Sequence, residues 1–190
     1  MNATTSIADS GRARAAGRFD QLSIALHWLT VLLVVGQLTT AWLLIQATDD
    51  EALLLAIHRS TGIVVWLVVA GRLVWVRCIA HPPPFPASMP PLQQLVARLN
   101  EYGLYALLLA QPLTGLGDSL FRGKAIVLFG LTVPPLFELN KAVFHACHTA
   151  HALGAVALLA LITLHTGAAL FHGVIRRDGV LQRMLPWTRP

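Results

Sequence analysis

Four histidines lie inside the long apolar stretches of this 190-residue chain, namely His27, His58, His151 and His165. An ionisable side chain at such depth is costly in a membrane and usually has a function. His151 and His165 are fourteen residues apart, which places them on one face of a helix, about 21 Å from each other. One helix could therefore contribute a histidine to each of two separate sites.

Depth along the predicted helices sorts the four histidines into two pairs. His27 follows Asp20 by seven residues and His58 follows Asp49 by nine, so each lies about 10 to 14 Å along its helix from a polar boundary. Because their helices enter from opposite sides, the two residues fall in opposite halves of a membrane. The last helix presents His151 before His165, so His58 pairs with His151 and His27 pairs with His165.

Two neutral imidazoles from facing helices are the axial ligands of a b-type haem, and such sites are built in the core of a helical bundle. The chain has no Cys-x-x-Cys-His motif, which excludes a covalently attached c-type haem. Its methionines, Met1, Met89 and Met184, lie outside the apolar stretches and leave no candidate for a His/Met site. With both axial positions filled, the iron has no open place for substrate, which favours electron transfer. We therefore predict two haem b groups, with these four histidines as iron ligands.

Other interpretations of the histidines stay open. A single membrane histidine can be a hydrogen-bonded packing residue or a proton relay, although four at matched depths favour ligation. His172 follows His165 by seven residues on nearly the same face and competes with it as a ligand. His145 and His148 are predicted to be surface residues with a minor chance of metal binding or proton transfer, and His81 a residue of a proline-rich loop.

Neighbouring residues fit the predicted haem sites. Gly62, four residues after His58, removes a side chain that would collide with a porphyrin, and Gly154 and Gly167 could do so on the last helix. The same glycines would also suit close helix packing. Arg72 follows His58 by fourteen residues and so lies at the level of the other haem. It either pairs with haem propionates or reaches the cytoplasmic surface as an anchor.

The elements that position these residues follow from composition. The chain is 55% hydrophobic and only 12% charged, which is typical of a membrane protein. Four stretches are long enough to cross a bilayer as helices, and they cover residues 22–47, 53–76, 99–120 and 141–175. The first is too long for a cleaved signal peptide. We predict an all-α integral membrane four-helix bundle, capped on its outer side by the broken segment 123–140.

Orientation follows from the basic residues, which remain on the cytoplasmic side. Most of the 14 lysines and arginines flank the termini and the second loop, so both termini are predicted to be cytoplasmic. The domain organisation is then a basic cytoplasmic leader, 1–18, a transmembrane di-haem domain, 19–177, and a cytoplasmic tail, 178–190. The sequence pI near 10.0 reflects this topology, and nucleic-acid binding is not expected.

Five motifs together resemble the bacterial cytochrome b561 family, the small quinone-linked di-haem cytochromes of the inner membrane. They are Ser23-Ile24-Ala25-Leu26-His27-Trp28, Ile57-His58-Arg59-Ser60-Thr61-Gly62, Arg72 before the proline-rich loop, Phe129-Gly130-Leu131-Thr132 with Pro134, and His151 with His165. The resemblance implies a multi-pass protein of the bacterial inner membrane with the same two ligand pairs. It also implies an oxidoreductase that exchanges electrons with the quinone pool through ubiquinone, and in some members the electron source is superoxide at the outer face.

Two other functions are compatible with the residues. The chain could be a haem-bearing membrane anchor for a separate dehydrogenase or hydrogenase, although its short loops offer little surface to a large partner. A metal or proton transporter is disfavoured, because membrane carboxylates are nearly absent and the only candidate is Asp118, at the end of the third span. The expected partners are quinone and membrane lipid, and the sequence is compatible with a homodimer.

Overall fold

A computed structural model describes residues 17–46 and 50–187. Within them four long helices follow one another: α1 Gln21–Ile45, α2 Glu51–Cys78, α3 Pro91–Leu120 and α4 Lys141–Leu170. A small antiparallel hairpin, β1 Ile126–Leu128 with β2 Leu131–Val133, lies between α3 and α4. The predicted helical fold is confirmed, and the hairpin occupies the segment that was expected to cap the bundle. Most of the predicted leader falls outside the described residues.

Three of the four helices are long and apolar enough to cross a membrane: α1, α2, and α4 with its continuation to Arg176. Helix α3 is less clearly apolar, because its first third carries Gln93, Gln94, Arg98 and Glu101. It also begins at Pro91, whereas the sequence suggested a start at residue 99. The first N–H group of a helix has no partner within the helix, so a proline, which lacks this group, is well suited to the first position. The last proline of the proline-rich loop therefore begins this helix earlier than expected.

The helices pack as two neighbouring pairs, α1 with α2 and α3 with α4, and the pairs are joined by contacts between α2 and α3. The buried core lies among the last three helices and consists of Val65, Val69, Tyr105, Leu108 and Leu158. Helices α1 and α4 make little direct backbone contact with each other. The four histidines lie on three of the helices: His27 on α1, His58 on α2, and His151 and His165 on α4.

Each end of the bundle collects defined segments. The His27 end holds the start of α1, the end of α4 and the loop between α2 and α3, whereas the His58 end holds the hairpin. At the His27 end, Asp20 caps α1 by accepting from the Ser23 amide at 2.9 Å and from Trp75 Nε1 at 3.1 Å. Burial raises the pKa of Asp20, but these hydrogen bonds outweigh it and hold the pKa below its usual value. The ionised cap thus ties α1 to the end of α2.

The chain after α4 remains packed against the His27 end. Helix α4 passes into a π-helical turn, Phe171–Arg176, which ends at Arg177 in a left-handed conformation with φ 51°. Further along, Trp28 Nε1 donates to the Met184 carbonyl at 2.8 Å, and Arg183 donates to the Pro84 carbonyl at 2.6 Å. The described part of the predicted tail therefore braces α1 and the loop before α3.

Candidate haem-binding sites

Two pairs of histidine rings meet across the gap between the helices. The ring centres of His58 and His151 are 6.2 Å apart, and those of His27 and His165 are also 6.2 Å apart. An imidazole nitrogen binds a metal ion at about 2 Å and lies about 1.2 Å from its ring centre, so two axial imidazoles on one iron have centres about 6.4 Å apart. Both pairs therefore have the separation that one iron between them requires.

The rings of His58 and His151 are held by hydrogen bonds at Nδ1. His58 Nδ1 lies 2.8 Å from Thr40 Oγ1. His151 Nδ1 lies 3.0 Å from the Gln111 carbonyl and 3.2 Å from Thr114 Oγ1. A metal-binding histidine usually donates its second ring N–H in this way, which fixes the ring and leaves Nε2 for the metal. The spacing of this pair fits a haem iron, and the Nδ1 contacts are those of metal-binding histidines.

The pair at the other end has a different surrounding. His27 Nδ1 is buried and has no hydrogen-bond partner among the described residues. Arg72 lies within electrostatic range of both His27 and His165, and its guanidinium stacks over the Tyr105 ring at 5.4 Å. Arg72 Nε and Tyr105 Oη are likewise buried without a partner in this part of the chain. Since buried polar groups are normally paired, an anionic group such as a haem propionate would complete this site.

His172, the competing ligand, is engaged elsewhere. It is only 4% exposed, and its Nδ1 lies 2.6 Å from Asp178 Oδ2 while its Nε2 lies 3.0 Å from Gln93 Nε2. Burial raises the pKa of Asp178, but hydrogen bonds from His172 and the Val180 amide hold it below its usual value. Both nitrogens of His172 are thus occupied by protein groups, and the geometry favours His165 as the partner of His27.

The remaining histidines are exposed, as the sequence suggested. His148 Nδ1 lies 3.2 Å from Asp118, whose other oxygen accepts from Arg122 at 3.0 Å. His145 packs against the Phe144 ring, and His81 lies in the proline-rich loop. Among the described residues no three metal-ligating side chains gather into a separate metal site.

A basic cavity lies at the His58 end and was missed by sequence reasoning. Its volume is about 240 Å³, and Arg59 at its wall donates to Ser119 Oγ at 2.9 Å. The lining residues come from α2, from the end of α3 with the turn after it, and from the hairpin, so these segments meet only in the folded protein. The polar residues of the lining are Arg59, Ser119, Arg122 and Lys124. The three cations that line this cavity make the His58 end attractive to a small anion.

Glycines shape the site at this end, though not all as expected. A Cβ on Gly115 would lie 2.9 Å from His151 Cε1, and one on Gly154 would collide with the Gln111 side chain. The role of Gly115 as space for His151 was missed by sequence reasoning. A Cβ on Gly62 would meet only Gln37 at 3.8 Å, and one on Gly167 would meet nothing within 4 Å. Clearance for a porphyrin at these two glycines remains a prediction.

Comparisons with known proteins identify the family of this chain. A family model described as prokaryotic cytochrome b561 matches residues 18–187. The chain belongs to the prokaryotic cytochrome b561 family. Cytochrome b561 homolog 1 of Escherichia coli K12 is 32% identical over 177 residues, which cover 89% of this chain and 97% of that protein. "Probable superoxide oxidase CybB" of Yersinia pestis is 29% identical over 177 residues, covering 90% and 98%. Cytochrome b561 homolog 2 of Escherichia coli K12 is 32% identical over 173 residues, covering 88% and 91%.

Membership of this family establishes the general function of the chain and its location. The chain is a multi-pass protein of the bacterial inner membrane, and its function is transmembrane electron transport with haem b. When bound, each haem supplies an iron that holds or releases one electron. The four histidines hold their rings at the separation such an iron needs, and no catalytic acid or base is required for that step.

Proposed function

We propose that this chain is an oxidoreductase that passes electrons from superoxide on the outer side of the membrane, through two b haems, to ubiquinone. The observation that carries the proposal is the equal 6.2 Å spacing of the two histidine pairs, His58 with His151 and His27 with His165. Two sites at opposite depths provide a path across the membrane, whereas one site would reach only half of it. In the balanced reaction, two superoxide ions lose one electron each and become two molecules of O₂. One quinone accepts these two electrons together with two protons and becomes quinol.

The basic cavity supports an anionic reductant at the His58 end. With the basic termini on the cytoplasmic side, this end faces outward. The residues that line the cavity include three cations, Arg59, Arg122 and Lys124, and no carboxylate, and Asp118 next to it accepts from Arg122 at 3.0 Å. Superoxide carries a negative charge, and a cationic cleft raises the local concentration and the association rate of such an ion. The Yersinia pestis relative is named a probable superoxide oxidase, which agrees with this donor.

The His27 end supports the quinone half of the reaction. Quinone reduction consumes protons, and His172 with Asp178 forms a hydrogen-bonded acid–base pair near the cytoplasmic surface. Only 13% of the Asp178 side chain is exposed, which still gives the pair contact with solvent. A histidine is suited to passing protons near neutral pH. The pair lies one heptad beyond His165 and so is placed to supply protons beside the second haem.

The test uses the purified full-length protein. Pyridine haemochrome analysis should give two haems per chain, and acidic acetone should extract both. With a superoxide source and ubiquinone, the protein should form quinol, and superoxide dismutase should abolish the reaction. One haem per chain, or quinone reduction that dismutase does not affect, would refute the proposal. His145→Gln is a matched control, since His145 is exposed and belongs to neither histidine pair.

A further inference from the structure

A short pattern occurs twice beside the His58 end, once on α1 and once on α3. Gln37 and Thr40 are three residues apart in Gln-Leu-Thr-Thr, and Gln111 and Thr114 are three residues apart in Gln-Pro-Leu-Thr. In both cases the threonine hydroxyl contacts Nδ1 of a histidine on a neighbouring helix. In both cases the glutamine amide donates to the backbone carbonyl of that same histidine. Two separate helices thus hold His58 and His151 with the same pair of side chains.

The threonine on α1 fixes the tautomer of His58. Thr40 Oγ1 lies 3.0 Å from the Gly36 carbonyl and 3.0 Å from the Gln37 carbonyl, and a carbonyl can only accept. When the single hydroxyl hydrogen is donated to one of these carbonyls, Thr40 presents a lone pair to His58 Nδ1 at 2.8 Å. In that arrangement His58 Nδ1 is the donor, which leaves the lone pair of Nε2 for a metal.

The contacts on α3 fix His151 in the same way. His151 Nδ1 lies 3.0 Å from the Gln111 carbonyl, which can only accept, so Nδ1 carries the proton. The Thr114 hydroxyl donates to that carbonyl as well, at 2.9 Å, and lies 3.2 Å from the ring nitrogen. The Nδ1 proton of His151 is thus shared between two oxygens. His151 Nε2 is again free to bind a metal.

The glutamines hold the backbone from which each ring projects. Gln37 Nε2 donates to the His58 carbonyl at 3.1 Å and also contacts Thr61 Oγ1. Gln111 Nε2 donates to the His151 carbonyl at 3.0 Å, and Gly154 supplies the space that Gln111 needs. An added hydrogen bond to a helical carbonyl restrains the rotation of that helix. Each ligand is thus fixed at its ring and at its backbone.

The pair at the other end lacks this arrangement. His27 Nδ1 is buried without a hydrogen-bond partner in the described part of the chain, and the cationic Arg72 is the nearby polar group. An imidazole that donates from Nδ1 is a more basic ligand, and it stabilises the oxidised, more positive iron. A nearby cation has the opposite effect, because it stabilises the iron that has gained an electron.

We propose that the two Gln-x-x-Thr pairs are positioning residues that make the haem between His58 and His151 the lower-potential haem of the two. Electrons then move downhill from the outer end to the His27 end, which gives the protein a direction. This inference rests on the proposed function only in that two haems are bound. It assigns Thr40, Thr114, Gln37 and Gln111 a role in tuning one haem without contact with substrate.

The test is redox titration of the purified di-haem protein, followed by its absorption spectrum. Thr40→Val and Thr114→Val remove the hydroxyl while keeping the side-chain volume, and each should raise the potential of one haem, the same haem in both variants. A tenfold change in the reduction equilibrium is expected for the pair together, which is about 59 mV for one electron. Thr39→Val is the matched control, because Thr39 is exposed and its hydroxyl contacts only the Val35 carbonyl among the described residues. It should leave both potentials unchanged, and Thr40→Ser should restore the wild-type value.

Each further outcome decides the inference. If a valine variant loses one haem while Thr40→Ser keeps both at wild-type potentials, the hydroxyl is shown to hold that site. If Thr40→Val and Thr114→Val keep both haems at wild-type potentials, or shift the haem that Arg72→Leu shifts, the inference is wrong. Normal quinol formation in those variants would leave the proposed function intact. A wild-type protein with fewer than two haems would instead overturn the proposed function.

Discussion

The two histidine pairs have the same ring separation, 6.2 Å, but their hydrogen-bond environments differ. His58 and His151 are fixed through Nδ1 by oxygen atoms of neighbouring helices. His27 has no such contact among the described residues and lies near a cation. Because a hydrogen bond to the second ring nitrogen sets the orientation and basicity of a metal-binding histidine, the two sites should differ in potential and in tolerance to substitution.

Single alanine substitutions should separate the two sites. His58→Ala and His151→Ala should each remove the same haem, so that the haem content falls from two to one per chain with matching spectra. His27→Ala and His165→Ala should each remove the other haem, because either loss leaves the same iron with one ligand. His172→Ala should retain both haems. If it instead empties the site of His27, or if the spectrum of His58→Ala matches that of His165→Ala, the ligand assignment is wrong.

Arg72 should tune the haem between His27 and His165. Its guanidinium is near both rings and its Nε is buried without a partner in the described residues, so removing the charge should lower the potential of that haem alone. Arg72→Leu is expected to change the reduction equilibrium about tenfold, or about 59 mV in a redox titration. Arg77→Leu is the control, since Arg77 is exposed and stacks on Tyr102 at 5.0 Å. Equal shifts in the two variants would mean that Arg72 acts only as surface charge.

Sequence alone could identify the histidine pairs but not the residues that hold them. Depth and fourteen-residue spacing depend only on helix rise and rotation, so His151 and His165 could be placed before the fold was known. The contacts of Thr40 and Thr114 depend on how α1 and α3 rotate against their neighbours. That rotation is set by packing, and a threonine in an apolar helix has no signal that separates this role from ordinary bonding to its own backbone.

At the scale of helices, the apolar stretches predicted the number of helices more accurately than the residues at which they begin and end. Three helices matched the expected spans closely, because length and hydropathy determine them. Helix α3 began at Pro91, and the end of α4 became a π-helical turn, which length and hydropathy do not encode. The basic cavity was also invisible in sequence, since α2, α3 and the hairpin meet there only after folding.

Glycine substitutions should show how closely α3 and α4 must approach. A Cβ on Gly115 would lie 2.9 Å from His151 Cε1, so Gly115→Ala should displace the ring and weaken the haem between His58 and His151. Haem content and the thermal stability of the loaded protein would measure this. Gly36→Ala on α1 is the control, because its added Cβ meets nothing within 4 Å and alanine favours a helix by up to about 1 kcal/mol. Wild-type haem content in both variants would show that the contact is relieved elsewhere.

At the scale of the whole molecule, three cations line the cavity at the end where an anion is expected to arrive. They are Arg59, Arg122 and Lys124, and a single charge acting through water at about 8 Å alters the encounter rate about twofold to threefold. Hydrogen bonds of the ligands and the charge of the cavity therefore act on different steps. The first sets the potential of one haem, and the second sets how often the reductant reaches it.

These two effects can be separated by salt. Lys124→Gln should lower kcat/KM for superoxide about twofold to threefold at low ionic strength, and Arg122→Gln with Lys124→Gln should lower it further, with both haem potentials unchanged. The differences should shrink towards zero near 1 M salt, where the screening length is about 3 Å. Arg77→Gln, at the opposite end of the bundle, should leave kcat/KM unaltered at every salt concentration. If the cavity variants keep the wild-type rate and salt dependence, the reductant either carries no negative charge or reaches the His58 end by a route that avoids the cavity.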